Sequence, residues 1–173
     1  MYLNLEGDWT VTLTTKEGTQ KGKVSLPGII KAQGYGEKIT KQTPWVSSLH
    51  DAEWWEREEY RYAQEDGCRI PFLSQPPRHF LGKVLYEREI EIKEEDSDTW
   101  YLYIEVTHWR TKVSVDGMQT GEDCSVCTAH RLDCGRLTRG IHTIQVEVDN
   151  SMQYPYRPDG HGVSDALGAT WNG

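Results

Sequence analysis

The chain has 173 residues, enough for one domain with a substantial core, and it is 36% hydrophobic and 27% charged, as ordinary globular proteins are. Its 19 Lys and Arg against 27 Asp and Glu give a net charge of −8, which argues against nucleic acid and fits a neutral ligand. No apolar run reaches the roughly 20 residues of a membrane span, and no signal-type stretch opens the chain, so the compartment stays open, a periplasmic or secreted one included.

The chain opens on alternation. Trp9, Val11 and Leu13 share one face of a first strand, Lys16-Glu17-Gly18-Thr19 makes a turn, and residues 21–26 form a short second strand that Pro27-Gly28 ends. Residues 29–49 read as a long ordered loop. Its Gly34-Tyr35-Gly36 does not lie between a strand and a helix, so it is no phosphate loop. Residues 50–62 allow a short helix capped by Asp51, with a thin apolar stripe and an acidic, solvated face. Residues 68–72 read as a strand closed at Pro71. Residues 73–80 follow as a proline-stiffened loop carrying Gln75, Arg78 and His79.

In 84–92, Val84, Tyr86, Arg88, Ile90 and Ile92 alternate with Leu85, Glu87, Glu89 and Glu91, one face buried and one wet. The acidic run around 94–98 is a connecting loop. In 101–106, Tyr101, Tyr103 and Glu105 oppose Leu102, Ile104 and Val106. Val113 and Val115 point inward before Asp116-Gly117, a hairpin turn between alternating runs. The hairpin returns through 119–121, and 122–134 reads as a strand region with Val126, Thr128, His130 and Leu132 in alternation. After the turn 137–140, Ile144, Val146 and Val148 face one way and Thr143, Gln145 and Glu147 the other. Residues 151–173 form a long loop holding Tyr154, Tyr156, Arg157, Asp159, His161, Asp165, Trp171 and Asn172.

About eight strands, long loops and no βαβ alternation predict one all-β domain over 1–173. The expected architecture is a β-sandwich, a jelly roll rather than an immunoglobulin-type fold. The chemistry is sparse. Cys124-x-x-Cys127 lacks the second pair or the histidines of a structural zinc site, so Cys68, Cys124, Cys127 and Cys134 read as free thiols and no metal or cofactor is expected. His130 has no partners in sequence and reads as a strand or core histidine. Asp149, His161 and Ser164 have the residue types of a hydrolase triad but no spacing that fixes its geometry. The seven Trp and nine Tyr against two Phe offer flat apolar faces with a polar handle, useful against sugars and equally in cores and loop anchors. The polar, aromatic loops 73–80 and 151–172 are where a rigid β scaffold would place a binding site.

Five motifs, in order, carry a resemblance. Leu5-Glu6-Gly7-Asp8-Trp9 resembles an L-x-G-x-W start, and Leu26-Pro27-Gly28 an L-P-G turn. Gly82-Lys83-Val84-Leu85-Tyr86-Glu87-Arg88-Glu89-Ile90 is similar to G-x-x-W-Y-x-R-x-F, with Leu85 where Trp is usual. The run from Val113 through Asp116-Gly117 to Gly121 resembles V-w-l-N-G-x-x-v-G, with Asp116 for Asn and Thr120 for Val. The run from Leu137 to Asp149-Asn150 is similar to L-x-x-G-x-n-x-l-x-v-x-v-d-N. Together they resemble the N-terminal sugar-binding domain of glycoside hydrolase family 2, the β-galactosidase, β-glucuronidase and β-mannosidase family.

The resemblance implies a galactose-binding-domain-like jelly roll, and a fragment that stops before its own last strand. An immunoglobulin-like domain and a TIM barrel holding the two catalytic carboxylates would follow. It implies no catalytic residue and no cofactor in this chain. Its implied partners are a β-linked carbohydrate and the C-terminal catalytic domains of the same polypeptide, with no nucleic acid and no membrane. Loops of the family's domain can reach the barrel's mouth, which makes Gln75, Arg78, Asp165, Trp171 and Asn172 the candidate substrate-binding residues. The expected role is to shape the substrate pocket and brace the barrel. A self-standing carbohydrate-binding module and a protein-interaction sandwich are the competing roles.

Overall fold

A computed structural model describes residues 2–38, 78–94, 98–125 and 127–151. Among these residues eight strands run in chain order: β1 (Gly7–Thr15), β2 (Gly18–Leu26), β3 (Lys83–Ile92), β4 (Trp100–Ile104), β5 (Arg110–Val115), β6 (Met118–Cys124), β7 (His130–Gly135) and β8 (Gly140–Asp149). All pairings among the described residues are antiparallel. Six strands form one sheet in the order β2-β1-β3-β8-β5-β6, and β4 pairs with β7 in a second. All eight belong to one compact unit, Met1–Ile29 with Leu81–Asn150; the other unit is Ile30–Phe80 with Ser151–Gly173. The described chain is thus an antiparallel β-sandwich. The strand expected over 68–72 and the helix expected over 50–62 lie outside the described residues.

Period-two patterning explains the inner face. Trp9, Val11 and Leu13 of β1, Val84, Ile90 and Ile92 of β3, Val113 and Val115 of β5, Leu132 and Cys134 of β7, and Ile144 and Val146 of β8 are all buried. Each such side chain contributes about 1.5–3 kcal/mol relative to an exposed one. The outer face of the large sheet is a charge ladder. Lys83 Nζ meets Glu147 Oε1 at 3.1 Å, and Lys112 Nζ meets Glu122 Oε2 at 3.6 Å. On the same face Gln145 Nε2 donates to Glu87 Oε2 at 2.8 Å.

Local chemistry sets the joints. Asp116 and Gly117 adopt φ of 51° and 81°, the left-handed pair that a two-residue hairpin between β5 and β6 demands. A β-bulge follows between Val113 and Ser114, so that Ser114 pairs with Gln119 rather than Thr120. Gly121 of β6 lies where the two sheets meet. A Cβ there would stand 2.9 Å from both N and O of Asp133 on β7, so the backbones approach as closely as only glycine allows. Asn150, just past β8, accepts from Gly82 N at 2.7 Å through Oδ1 and donates its own N–H to Gly82 O at 3.1 Å. This ties the entry of β3 to the exit of β8.

Two expectations change. The alternation over 122–134 is not one strand: 122–124 complete β6, the chain turns, and β7 starts at His130. Ser125 causes the break, because its Oγ accepts from Cys127 N, Thr128 N and Thr128 Oγ1 in one side-chain-capped turn. Val106 is exposed rather than inward, because β4 ends at Ile104.

Candidate functional site

Of the five residues expected to bind substrate, Arg78 alone lies within the described chain; Gln75, Asp165, Trp171 and Asn172 lie outside it. Arg78 is half-buried, and its Nη1 donates to Gly36 O at 3.2 Å. Beside it, Glu37 N donates to His79 O at 2.8 Å and His79 N to Glu37 O at 3.0 Å. Gly36 leaves no room for a Cβ, which would stand 2.8 Å from His79 O. The end of the 73–80 loop is therefore pinned to the Gly34-Tyr35-Gly36 loop by backbone, and the Arg78 guanidinium is aimed from a fixed base. In the same unit a 3-10 turn spans Ile30–Gln33 and buries Lys31, whose ammonium desolvation pushes down to about 8.

The remaining expected chemistry does not assemble among the described residues. Asp149 closes β8 and is buried, while its imagined triad partners His161 and Ser164 lie outside the description. Cys124 and Cys127 are exposed free thiols and Cys134 is a buried one, its thiol pushed up first by burial; Cys68 lies outside. No cluster of three His, Cys, Asp or Glu able to hold a metal occurs among the described residues. His130 is a core histidine. It is fully buried, with Nδ1 2.9 Å from Thr111 Oγ1 and Nε2 3.1 Å from both N and O of Ser125. Sequence alone could not pair it with Thr111, because the contact crosses from β7 to β5.

Two surface features were not legible as sites. One is a shallow cavity of about 280 Å³ on the outer face of the large sheet, lined by Leu85, Lys112, Ser114, Gln119, Gln145 and Glu147. Its charged groups, Lys112 and Glu147, are committed to the ladder. The other is the outer face of β4 and β7. There Tyr101 and Tyr103 are 47% and 66% exposed, and the Arg131 guanidinium lies 4.0 Å from the centre of the Tyr101 ring. Alternation predicted the outward tyrosines, but only the β4–β7 register brings Arg131 to them.

No protein-family model matches the chain, and no curated protein sequence matches it. Solved structures do. A β-glucuronidase from Ruminococcus gnavus in complex with a C6-substituted uronic isofagomine matches with a TM-score of 0.54 at 12% identity, over 89% of this chain and 22% of that one. An FMN-binding β-glucuronidase from Faecalibacterium prausnitzii L2-6 matches with a TM-score of 0.52 at 15% identity, over 90% and 19%. A β-D-glucuronidase of Dictyoglomus thermophilum matches with a TM-score of 0.50 at 13% identity, over 92% and 23%. The chain spans about a fifth of the length of these enzymes. At such identities the likeness is one of fold: this chain has the fold of a β-sandwich segment found in bacterial β-glucuronidases.

Proposed function

We propose that the chain is the N-terminal, non-catalytic jelly-roll domain of a family 2 glycoside hydrolase, which braces the catalytic barrel and shapes the rim of its substrate pocket. The observation that carries this reading is a coincidence of motif and joint. Trp9 Nε1 and Arg88 Nη1 both donate to the Leu5 carbonyl oxygen near Gly7 at the start of β1, Asp116-Gly117 make the β5–β6 turn, Gly121 the sheet junction, and Asn150 the tie to Gly82. The residues that carry the resemblance are those on which the sandwich depends. The fold likeness over a fifth of the length of β-glucuronidases supports the same reading.

In this role the pinned Arg78 offers a fixed guanidinium to a substrate hydroxyl or carboxylate, with Gln75, Asp165, Trp171 and Asn172 as further contacts. The carboxylate pair of a retaining glycosidase comes from the barrel. The pure 173-residue chain is expected to leave nitrophenyl β-glycosides intact; turnover that survives repurification would overturn the assignment.

A second reading, a self-standing carbohydrate-binding module, is favoured by the exposed Tyr101 and Tyr103 beside Arg131. Calorimetry with galactosides, glucuronides and mannosides separates the two. Millimolar or tighter binding lost in Tyr103→Ala supports the module; no heat at millimolar sugar supports the brace.

A further inference from the structure

One imidazole joins the β5–β6 turn to the start of β8. His142 Nδ1 lies 2.7 Å from Asp116 Oδ2, and His142 Nε2 lies 2.8 Å from the Thr138 carbonyl oxygen. Both neighbours are oxygens that only accept. A neutral imidazole has one N–H and could serve one of them; the other contact would then set a lone pair against an oxygen. Both contacts are hydrogen bonds only when the ring carries two protons and a positive charge.

The second carboxylate oxygen completes the arrangement. Asp116 Oδ1 accepts from Thr143 N at 2.8 Å, and Asp116 N donates to Thr143 O at 2.9 Å. The turn is thus fastened to β8 by backbone and side chain together. We propose that His142 is a proton-operated clasp: as an imidazolium it fastens the Asp116-Gly117 turn and the 136–139 segment to the head of β8, and loss of its proton loosens the turn, which the two Asp116–Thr143 hydrogen bonds then hold alone.

The charges around the ring allow this. Ile90 of β3 lies opposite His142, and Glu89 and Glu91 beside it point to the other sheet face. Arg136 and Arg139 of the adjoining segment are exposed. Among the described residues the charge that bears on the ring is that of Asp116. The hydrogen bond to Asp116, and then that to Thr138, hold His142 above the usual imidazole range. The Thr143 N–H, and then His142, hold Asp116 below the usual carboxylate range.

The signs follow. A raised histidine contributes stability in full below its unfolded value of about 6.5 and loses it as pH rises through the folded value. A lowered aspartate contributes above about 3.9 and loses it as pH falls. The clasp is therefore tightest between those limits and opens on the alkaline side.

NMR of the whole chain tests it, following the His142 ring and the hydrogen exchange of the Asp116 and Thr143 amides. The ring is expected to titrate above about 6.5, and exchange at both amides, corrected for intrinsic base catalysis, to rise with the same midpoint. Each unit of upward displacement corresponds to an about tenfold preference of the closed turn for the protonated ring. Asp116→Asn keeps an acceptor for Thr143 N and tolerates positive φ, so it should fold and lower the midpoint. His142→Gln should abolish the alkaline-side change in exchange at the two amides, leaving only the acid-side loss that follows Asp116. A ring midpoint at or below the ordinary value, a midpoint unmoved in Asp116→Asn, or amide exchange that ignores the ring would each overturn the proposal.

Discussion

Arg88 of β3 reaches across to the start of the chain and donates through Nη1 to the Leu5 carbonyl at 2.7 Å and to that of Glu6 at 3.0 Å. The Trp9 indole N–H meets the same Leu5 oxygen at 2.9 Å, and the guanidinium lies 5.9 Å from the Trp9 ring centre. Hydrogen bonds to a charged donor contribute about 1.5–3 kcal/mol. Arg88→Met, which keeps much of the apolar stem, should lower stability by about 2 kcal/mol, read as a lower urea midpoint at unchanged slope. Arg88→Lys should recover only part, because an ammonium is more strongly hydrated than a guanidinium and stacks less well on the Trp9 ring.

Gly121→Ala sets a methyl 2.9 Å from the backbone of Asp133, where no flexible side chain can yield. The sheets must part at β6 and β7, at a cost of about 1–3 kcal/mol. Thermal unfolding should register a clear drop, while Thr120→Ala, one residue away and exposed, should melt close to the parent.

Thr111 and His130 are both fully buried and bonded to one another. Thr111→Val removes one partner and leaves a buried ring nitrogen unsatisfied, which costs about 1–3 kcal/mol. In a double-mutant cycle with His130→Leu the two losses should fall short of adding, with a coupling of about 1 kcal/mol. Strict additivity would mean that the pair does not interact.

Lys31 reverses the usual lysine case. Its folded value of about 8 lies below its ordinary 10.5, so folding at a pH between the two releases a proton. Its penalty is full below the folded value and fades as pH climbs through the window between the two. Stability should therefore gain with pH from about 8 to about 10.5, a gain that Lys31→Met abolishes while stabilising the chain at neutral pH by on the order of 1 kcal/mol.

Strand identity was legible because the inner faces obey period two: Trp9, Val11 and Leu13, or Ile144 and Val146, are buried as their alternation requires. Asp116-Gly117 was legible because few turns accept two positive φ values in succession. The break at Ser125 was not, since a side-chain-capped turn leaves the apolar alternation on either side intact. Nor were Arg88 with Leu5, or His142 with Asp116, because these contacts join residues 83 and 26 positions apart in sequence. The candidate site was the least legible part. Its residues were placed on loops, where no periodicity fixes position, and of them the structure positions Arg78.

The strand order carries a consequence for how the chain is made. β8, the last of the eight to leave the ribosome, lies between β3 and β5 at the middle of the large sheet. Until it emerges, the β1–β2–β3 block and the β5–β6 hairpin each present a strand edge with no neighbour. The sheet closes through pairings of high sequence separation, which fold slowly and leave such edges open meanwhile. Vectorial synthesis thus places an aggregation-exposed interval just before residues 140–149 are added.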